Sequence, residues 1–268
     1  MPRIKKLILF TVLILLAAVI LFAGLVRQRY TAPIIMYHYV HYGANADDKL
    51  VVTPEAFQRQ MRFLKERRYN VIPLEELAVL IKEKRKIPAR TIAITIDDGH
   101  RDNYDQIYPV LKKYNLPATM FVIINEIGRV QNDKLSWSQI KEMQDSGLIS
   151  FGSHALGAEP LVNIKSEEEL KGQIFESKKL LEEKLEKEVK IFSYPEGLFN
   201  AKIKKMAMDA GYLAAVSTSP GISSPSDDIF ALKRLRISQN ADNLFIFYVQ
   251  ASGYYGPVRE FQRSFKKR

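Results

Sequence analysis

The 268-residue chain has no cysteine, one tryptophan and only four histidines, His38, His41, His100 and His154. Without cysteine there is no disulfide, and a metal would have to be held by imidazole and carboxylate donors. That absence suits an exported domain without disulfides but does not assign a compartment. No period of self-similarity and no long linker interrupts the chain, so residues 30–268 read as one domain behind a separate segment, 1–29.

Basic residues outnumber acidic ones, giving a formal charge of +10. They are interleaved with acidic residues along amphipathic stretches and gathered at the tails, and no nucleic-acid-binding module is present. Solvated helix faces and attraction to an anionic surface account for the charge, and nucleic acid is not expected as a partner.

Long apolar runs are missing everywhere except at residues 7–26, LILFTVLILLAAVILFAGLV. About 20 apolar residues are what a helix needs to cross a bilayer. The run is longer than a secretory signal's apolar region and lacks an A-x-A-like cleavage site. An uncleaved signal-anchor is expected, with the N-terminus cytoplasmic by the charges of Arg3, Lys5 and Lys6. The rest of the chain then lies on the extracytoplasmic side of the cell membrane, tethered to the bilayer.

Beyond that run, short apolar strands alternate with amphipathic helices. Strands are predicted near residues 33–38, 69–72, 91–96, 118–123, 148–153, 189–193, 213–218 and 232–238. Helices are predicted behind Thr53-Pro54, over 74–84, 103–114, 137–145, 167–186, 201–210 and 244–252, two of them behind the capping boxes at Ser136 and Ser166. Residues 221–226 read as a surface loop. Seven or eight such repeats give an α/β fold with parallel strands, either a βα barrel or an open doubly wound sheet.

In such folds functional groups gather at the C-terminal ends of strands. Three predicted ends carry polar residues that packing does not demand: Tyr37-His38, Asp97-Asp98-Gly99 and Ser153-His154. Two carboxylates together at the end of an apolar strand raise each other's pKa unless a cation or hydrogen-bond donors compensate. A further turn, Tyr194-Pro195-Glu196-Gly197, exposes backbone N–H groups of the kind that hold an oxyanion.

The stretch Thr95-Ile96-Asp97-Asp98-Gly99, with Arg101-Asp102-Asn103-Tyr104, Leu116-Pro117-Ala118-Thr119, Leu135-Ser136-Trp137, Phe151-Gly152-Ser153-His154, Tyr194-Pro195-Glu196-Gly197 and Ala210-Gly211-Tyr212, resembles the NodB-type polysaccharide deacetylases, carbohydrate esterase family 4. Ile35-Met36-Tyr37-His38 and the Thr53-Pro54 helix look like the branch that deacetylates poly-β-1,6-N-acetylglucosamine. The resemblance covers nearly the whole chain after the apolar run. It implies a distorted (β/α) barrel of about seven parallel strands and a divalent metal, usually zinc, acting on an N-acetylated polysaccharide.

Carried over, the resemblance makes Asp97 the general base and Asp98 and His154 metal ligands, with the Glu196 backbone N–H at the oxyanion. His38 stands where that branch has a candidate acid or substrate contact. The family's metal motif is H-x-x-x-H, and its second histidine falls on Ala158. Glu159, next to it, is the candidate replacement ligand. Ser193 stands where many members carry an arginine that orients the base, and His100 where the family usually has a packing aromatic. The rival to a metal-dependent hydrolase is a glycan-binding pseudoenzyme that lost its metal with the second histidine.

Overall fold

The computed structural model describes residues 10–15, 32–43, 48–129, 133–220 and 228–253. The strands are β1 (Ile34–Tyr37), β2 (Tyr39–Val40), β3 (Val51–Val52), β4 (Asn70–Val71), β5 (Thr91–Ile96), β6 (Ala118–Val122), β7 (Ile149–Ser153), β8 (Ile191–Ser193), β9 (Ala214–Pro220) and β10 (Leu232–Arg236). β1 and β5 to β10 are parallel to their neighbours in the order β1-β10-β9-β8-β7-β6-β5, and a β1–β5 pairing closes the ring. Seven strands therefore form a closed barrel, with β4 added alongside the start of β5. The open-sheet alternative falls at that closure. β2 and β3 form a separate two-stranded parallel ribbon that the sequence pattern did not announce.

Helices surround the ring: α1 (Pro54–Glu66), α2 (Leu74–Lys82), α3 (Tyr108–Tyr114), α4 (Trp137–Asp145), α5 (Glu167–Lys171), α6 (Ser177–Leu185), α7 (Ala201–Asp209) and α8 (Leu244–Ala251). Thr53 Oγ1 accepts from Ala56 N, Ser136 and Gln139 complete a capping box, and at Ser166 the side chain accepts from Glu169 N, one half of the box expected there. The long helix expected over 167–186 is one rod in which a π turn, Gly172–Glu176, joins α5 to α6.

Strand alternation sorts the barrel's two sides. Ile92, Ile94 and Ile96 of β5 pack outward in the larger core against the helices, whereas Ala93 joins Ile34, Phe121, Ile191, Ala214, Val216 and Leu232 in an inner cluster. Leu74, Leu77, Ala78 and Ile81 of α2 belong to that inner cluster and plug the end where the strands begin. The Leu74 N–H, which has no helical partner, donates to Thr119 Oγ1 at 3.2 Å. Burying Leu74, Leu77 and Ile81 contributes roughly 1.5–3 kcal/mol each.

Two residues further along the same inward rows the composition changes. Ala93 is followed by Thr95 and Asp97, Ile191 by Ser193, Leu232 by Arg234, and Ile34 by Met36 and then His38. The barrel is oily at the α2 end and polar at the other.

Most of the predicted membrane span at 7–26, the 221–226 loop and the basic tail at 266–268 lie outside the described residues. Residues 10–15 are helical. Among the described residues no helix is long and apolar enough to cross a membrane.

Candidate active site

Asp97 follows the last inward position of β5 and is 1% exposed. Its carboxylate meets Arg234 from β10, which is 0% exposed. Arg234 Nη1 donates to Asp97 Oδ1 and Nη2 to Oδ2, both at 2.7 Å. The fork is held in turn: Nη2 donates to Ser193 Oγ at 3.0 Å, Nη1 to Thr95 Oγ1 at 3.3 Å and Nε to the Ser217 carbonyl at 3.1 Å. Beneath it the Phe121 ring lies 5.5 Å from the guanidinium carbon. Burial pushes the Asp97 carboxyl upward, but the charge and hydrogen bonds of Arg234 outweigh it and hold the group below its ordinary value.

Arg234 is the functional residue that sequence reading missed. The orienting arginine was sought at position 193, where Ser193 instead accepts a hydrogen bond from an arginine two strands away in the ring. The available signal was the inward row of β10: a charged residue two positions after the core residue Leu232 needs a buried partner.

Asp98 points the other way out of the strand end. Its backbone is left-handed at φ 71, and Gly99 follows at φ 62. Two successive left-handed residues bend the chain so that His100 returns to its neighbour but one. His154 Nε2 lies 3.4 Å from Asp98 Oδ1, and His100 Nε2 lies 3.4 Å from Asp98 Oδ2. Burial would raise the Asp98 carboxyl, yet the hydrogen bonds of His100 and His154 and the nearby imidazole charges hold it far below the usual carboxylate range. Behind it Lys134 Nζ donates to the Asp98 carbonyl at 3.0 Å and pairs with Glu126 at 2.8 Å.

His154 directly follows β7, its N–H donating to the Val122 carbonyl at 2.9 Å, and Ala155 after it sits at φ 65. Its Nδ1 is 2.8 Å from the Ser193 carbonyl. A carbonyl only accepts, so Nδ1 carries a proton and Nε2 of the neutral ring turns a lone pair toward the Asp98 carboxylate. Two acceptors then face each other unless a proton or a cation stands between them. Burial pulls this imidazole down, but the Asp98 contact and the charges of Asp97 and Asp98 hold it above its ordinary value.

His38 follows β1 and is 9% exposed. Its carbonyl accepts from Asn103 Nδ2 at 2.9 Å, and among the described residues its buried Nδ1 has no hydrogen-bond partner. Burial lowers its pKa, against the upward pull of Asp97 and Asp98. Glu196 has an exposed side chain and a left-handed φ of 54, and its carbonyl accepts from Thr218 Oγ1 at 2.8 Å. His100 does more than pack: besides approaching Asp98 it stacks on Tyr39 with ring centroids 3.8 Å apart.

Asp98 and His154 therefore fit a divalent cation as two adjacent donors. The third donor expected from Glu159 is not brought to them. The chain turns at Ala155 and buries Ala155 and Leu161, which leaves Ala158 and Glu159 exposed on the crest between them. Gly157 N, donating to Gln173 Oε1 at 2.9 Å, pins that crest to the helical rod. Among the described residues no group of three or more His, Asp or Glu side chains is arranged to hold a metal ion.

Residues 84–215 match the family model described as polysaccharide deacetylase. The poly-β-1,6-N-acetyl-D-glucosamine N-deacetylase of Staphylococcus epidermidis is 32% identical over 201 residues, 71% of this chain and 69% of that protein. The chain belongs to the polysaccharide deacetylase family. It is thus placed among hydrolases that act on N-acetyl amide bonds. YxkH of Bacillus subtilis is 34% identical over 206 residues, 77% of this chain and 71% of that protein. Among solved structures, the Streptococcus pyogenes deacetylase PplD in complex with acetate superposes with a TM-score of 0.75 at 29% identity, covering 81% of this chain and 97% of that one.

Proposed function

We propose that this polysaccharide deacetylase removes N-acetyl groups from a polymer containing N-acetylglucosamine, releasing acetate and leaving a free amine. The observation that carries the reading is the convergence of Asp97, Asp98, His154 and His38 at the polar end of the barrel, with Arg234 clamping Asp97. The staphylococcal relative, which is named for that reaction, supports the choice of polymer.

Asp97 serves as the general base. The Arg234 fork keeps it ionised and fixes the direction of its remaining lone pairs, so an incoming water is deprotonated in one orientation only. The same fork weakens Asp97 as a base, and placement compensates for basicity. The Glu196 N–H, on a turn pinned by Thr218, serves the carbonyl oxygen as it gains charge. His38 is the donor that returns a proton to the leaving nitrogen.

Asp98 and His154 are the residues that would hold a divalent metal, zinc being the ion the family usually takes. Such an ion, when bound, supplies Lewis-acid polarisation of the amide carbonyl. The apolar run at 7–26 supports a membrane-tethered enzyme facing outward from the cell membrane, as one catalytic domain over 30–268.

The second reading, a glycan-binding domain without catalysis, is favoured by Ala158. Acetate release from N-acetylglucosamine oligomers, measured for the full chain with added Zn, Co, Mn or Ni, decides between them. Release that disappears in Asp97→Asn supports the enzyme. No release with any of the four ions, with oligomer binding retained, supports the binding domain.

A further inference from the structure

The connections that lead into the barrel strands lie at its foot, the end opposite Asp97, and charge is unevenly shared among them. Those into β4, β5 and β6, at 67–69, 83–90 and 115–117, hold six basic residues and one acidic one, all of them exposed. The acidic one, Glu83, is paired with Arg85 at 3.3 Å. The described connections into β7 to β10, at 146–148, 186–190, 210–213 and 228–231, hold two basic residues and three acidic ones, and Lys190 is engaged by Glu75 and Glu188. One sector of the foot is therefore strongly positive and the rest is not.

Contacts draw the positive sector together. Arg90 Nη1 donates to the Arg67 carbonyl at 3.1 Å, which ties the connection before β5 to the one before β4. The Arg67 guanidinium lies 5.8 Å from the Phe63 ring, and Phe63 meets Tyr69 and Tyr248 with centroids 6.0 and 6.1 Å apart. Tyr248, on α8, is 48% exposed. Cations around a half-exposed tyrosine suit a layer of lipid headgroups, where the ring sits at the interface and the charges meet phosphate.

The same sector is where the chain arrives from the apolar run at 7–26. Ala32 is buried just before β1, and Ile34 pairs with Ala93 of β5. From Val26 to Ala32 the backbone reaches at most about 20 Å. A run lodged in a bilayer thus keeps the start of β1 and β5 close to the headgroups. The tether limits the search and the cations complete the approach, since their attraction to an anionic surface acts within a Debye length of about 8 Å.

We propose that this basic sector docks on anionic phospholipid headgroups and stands the barrel foot-down on the membrane. The proposal rests on the membrane-tethered reading of the chain. Docked in this way, the end that carries Asp97 and His154 faces away from the bilayer, toward polymer outside it.

The absence of cysteine lets a single thiol be placed at will. Ala89→Cys puts a fluorescent donor at the foot without removing a charge, and Glu159→Cys puts it on the exposed crest at the other end. The full chain carrying either label is reconstituted into phosphatidylcholine vesicles, with or without phosphatidylglycerol, that contain a headgroup-linked energy-transfer acceptor. Transfer from position 89 is expected to rise with phosphatidylglycerol, and transfer from position 159 to stay low in both vesicles. Raising salt from about 0.1 M to about 1 M shortens the Debye length from about 10 Å to about 3 Å and is expected to abolish the rise. Replacing Arg67, Lys84, Lys86 and Arg90 together by glutamine is expected to abolish it as well, with the circular dichroism of the parent retained.

Equal transfer from the two positions, or a foot label indifferent to phosphatidylglycerol in a chain that floats with the vesicles, would overturn the proposal and leave the tether standing. Binding of poly(glycerol phosphate) by the same four residues without any rise on phosphatidylglycerol assigns the face to an anionic wall polymer and overturns it too. A full chain that floats with neither vesicle defeats the tethered reading, and this proposal with it.

Discussion

Arg234 holds both carboxylate oxygens of Asp97 through two nitrogens of one guanidinium, in a pair that is 0% and 1% exposed. Removing the cation strands a buried charge, which costs about 3–5 kcal/mol, whereas removing both charges together does not. Arg234→Met is therefore expected to destabilise the chain by about that amount in urea unfolding, and Arg234→Met with Asp97→Leu to recover most of it. A double-mutant cycle with no coupling between the two positions would refute the clamp.

The same pair shows what was legible in the sequence. Asp97, Asp98 and His154 stand at ends of apolar strands, and local pattern finds them. The barrel follows from the alternation of strands and helices, although closure by β1–β5 pairing is a long-range fact that no local period encodes. Arg234 is a partner chosen across the barrel interior, 137 residues from Asp97, and inward-row reasoning needs the ring order before it can pair them. Glu159 failed for the opposite reason. Sequence adjacency to the missing ligand placed it near the site, and burial of Ala155 and Leu161 turned it outward.

Burial lowers the His38 imidazole from its ordinary value of 6.5 despite two nearby carboxylates. The folded chain then takes up a proton less readily than the unfolded one. The stability linked to His38 is complete above about pH 6.5 and is lost as pH falls through the lower folded value. Urea unfolding from about pH 8 to about pH 5 is expected to show a shallower loss in His38→Gln than in wild type. As the proton donor, His38 also makes kcat/KM fall as pH rises through that lowered value, and this limb is expected to vanish in the variant.

Gly197 closes the Tyr194–Leu198 turn at φ 71, and a Cβ there would lie 2.2 Å from Thr218 N and Oγ1. β9 backbone cannot yield as a side-chain tip does. Gly197→Ala is expected to displace the Glu196 peptide and to lower kcat more than it raises KM, because the donor it moves acts on charge that develops during reaction. Gly147→Ala is the control: it shares a positive φ of 73 but meets nothing within 4 Å, so roughly 1–2 kcal/mol of stability is lost to the left-handed backbone with kcat unchanged.

Phe121 joins the oily end of the barrel to the clamp above it, being fully buried among the inner cluster with Arg234 over its ring. Phe121→Ala is expected to cost roughly 3–5 kcal/mol by leaving a cavity, and to lower kcat as well, since the guanidinium loses its floor. Gly152 depends on the same ring: a Cβ at that position would sit 2.5 Å from Phe121 Cε1 and 2.8 Å from the Ile191 carbonyl. A smaller side chain at 121 relieves only the first of these collisions. Gly152→Ala is thus expected to remain destabilised in a Phe121→Leu background, because the second obstacle is the backbone of β8. Thermal unfolding of the two single variants and the double variant checks this, and full rescue by Phe121→Leu would show that the ring alone sets the β7–β8 spacing beneath His154.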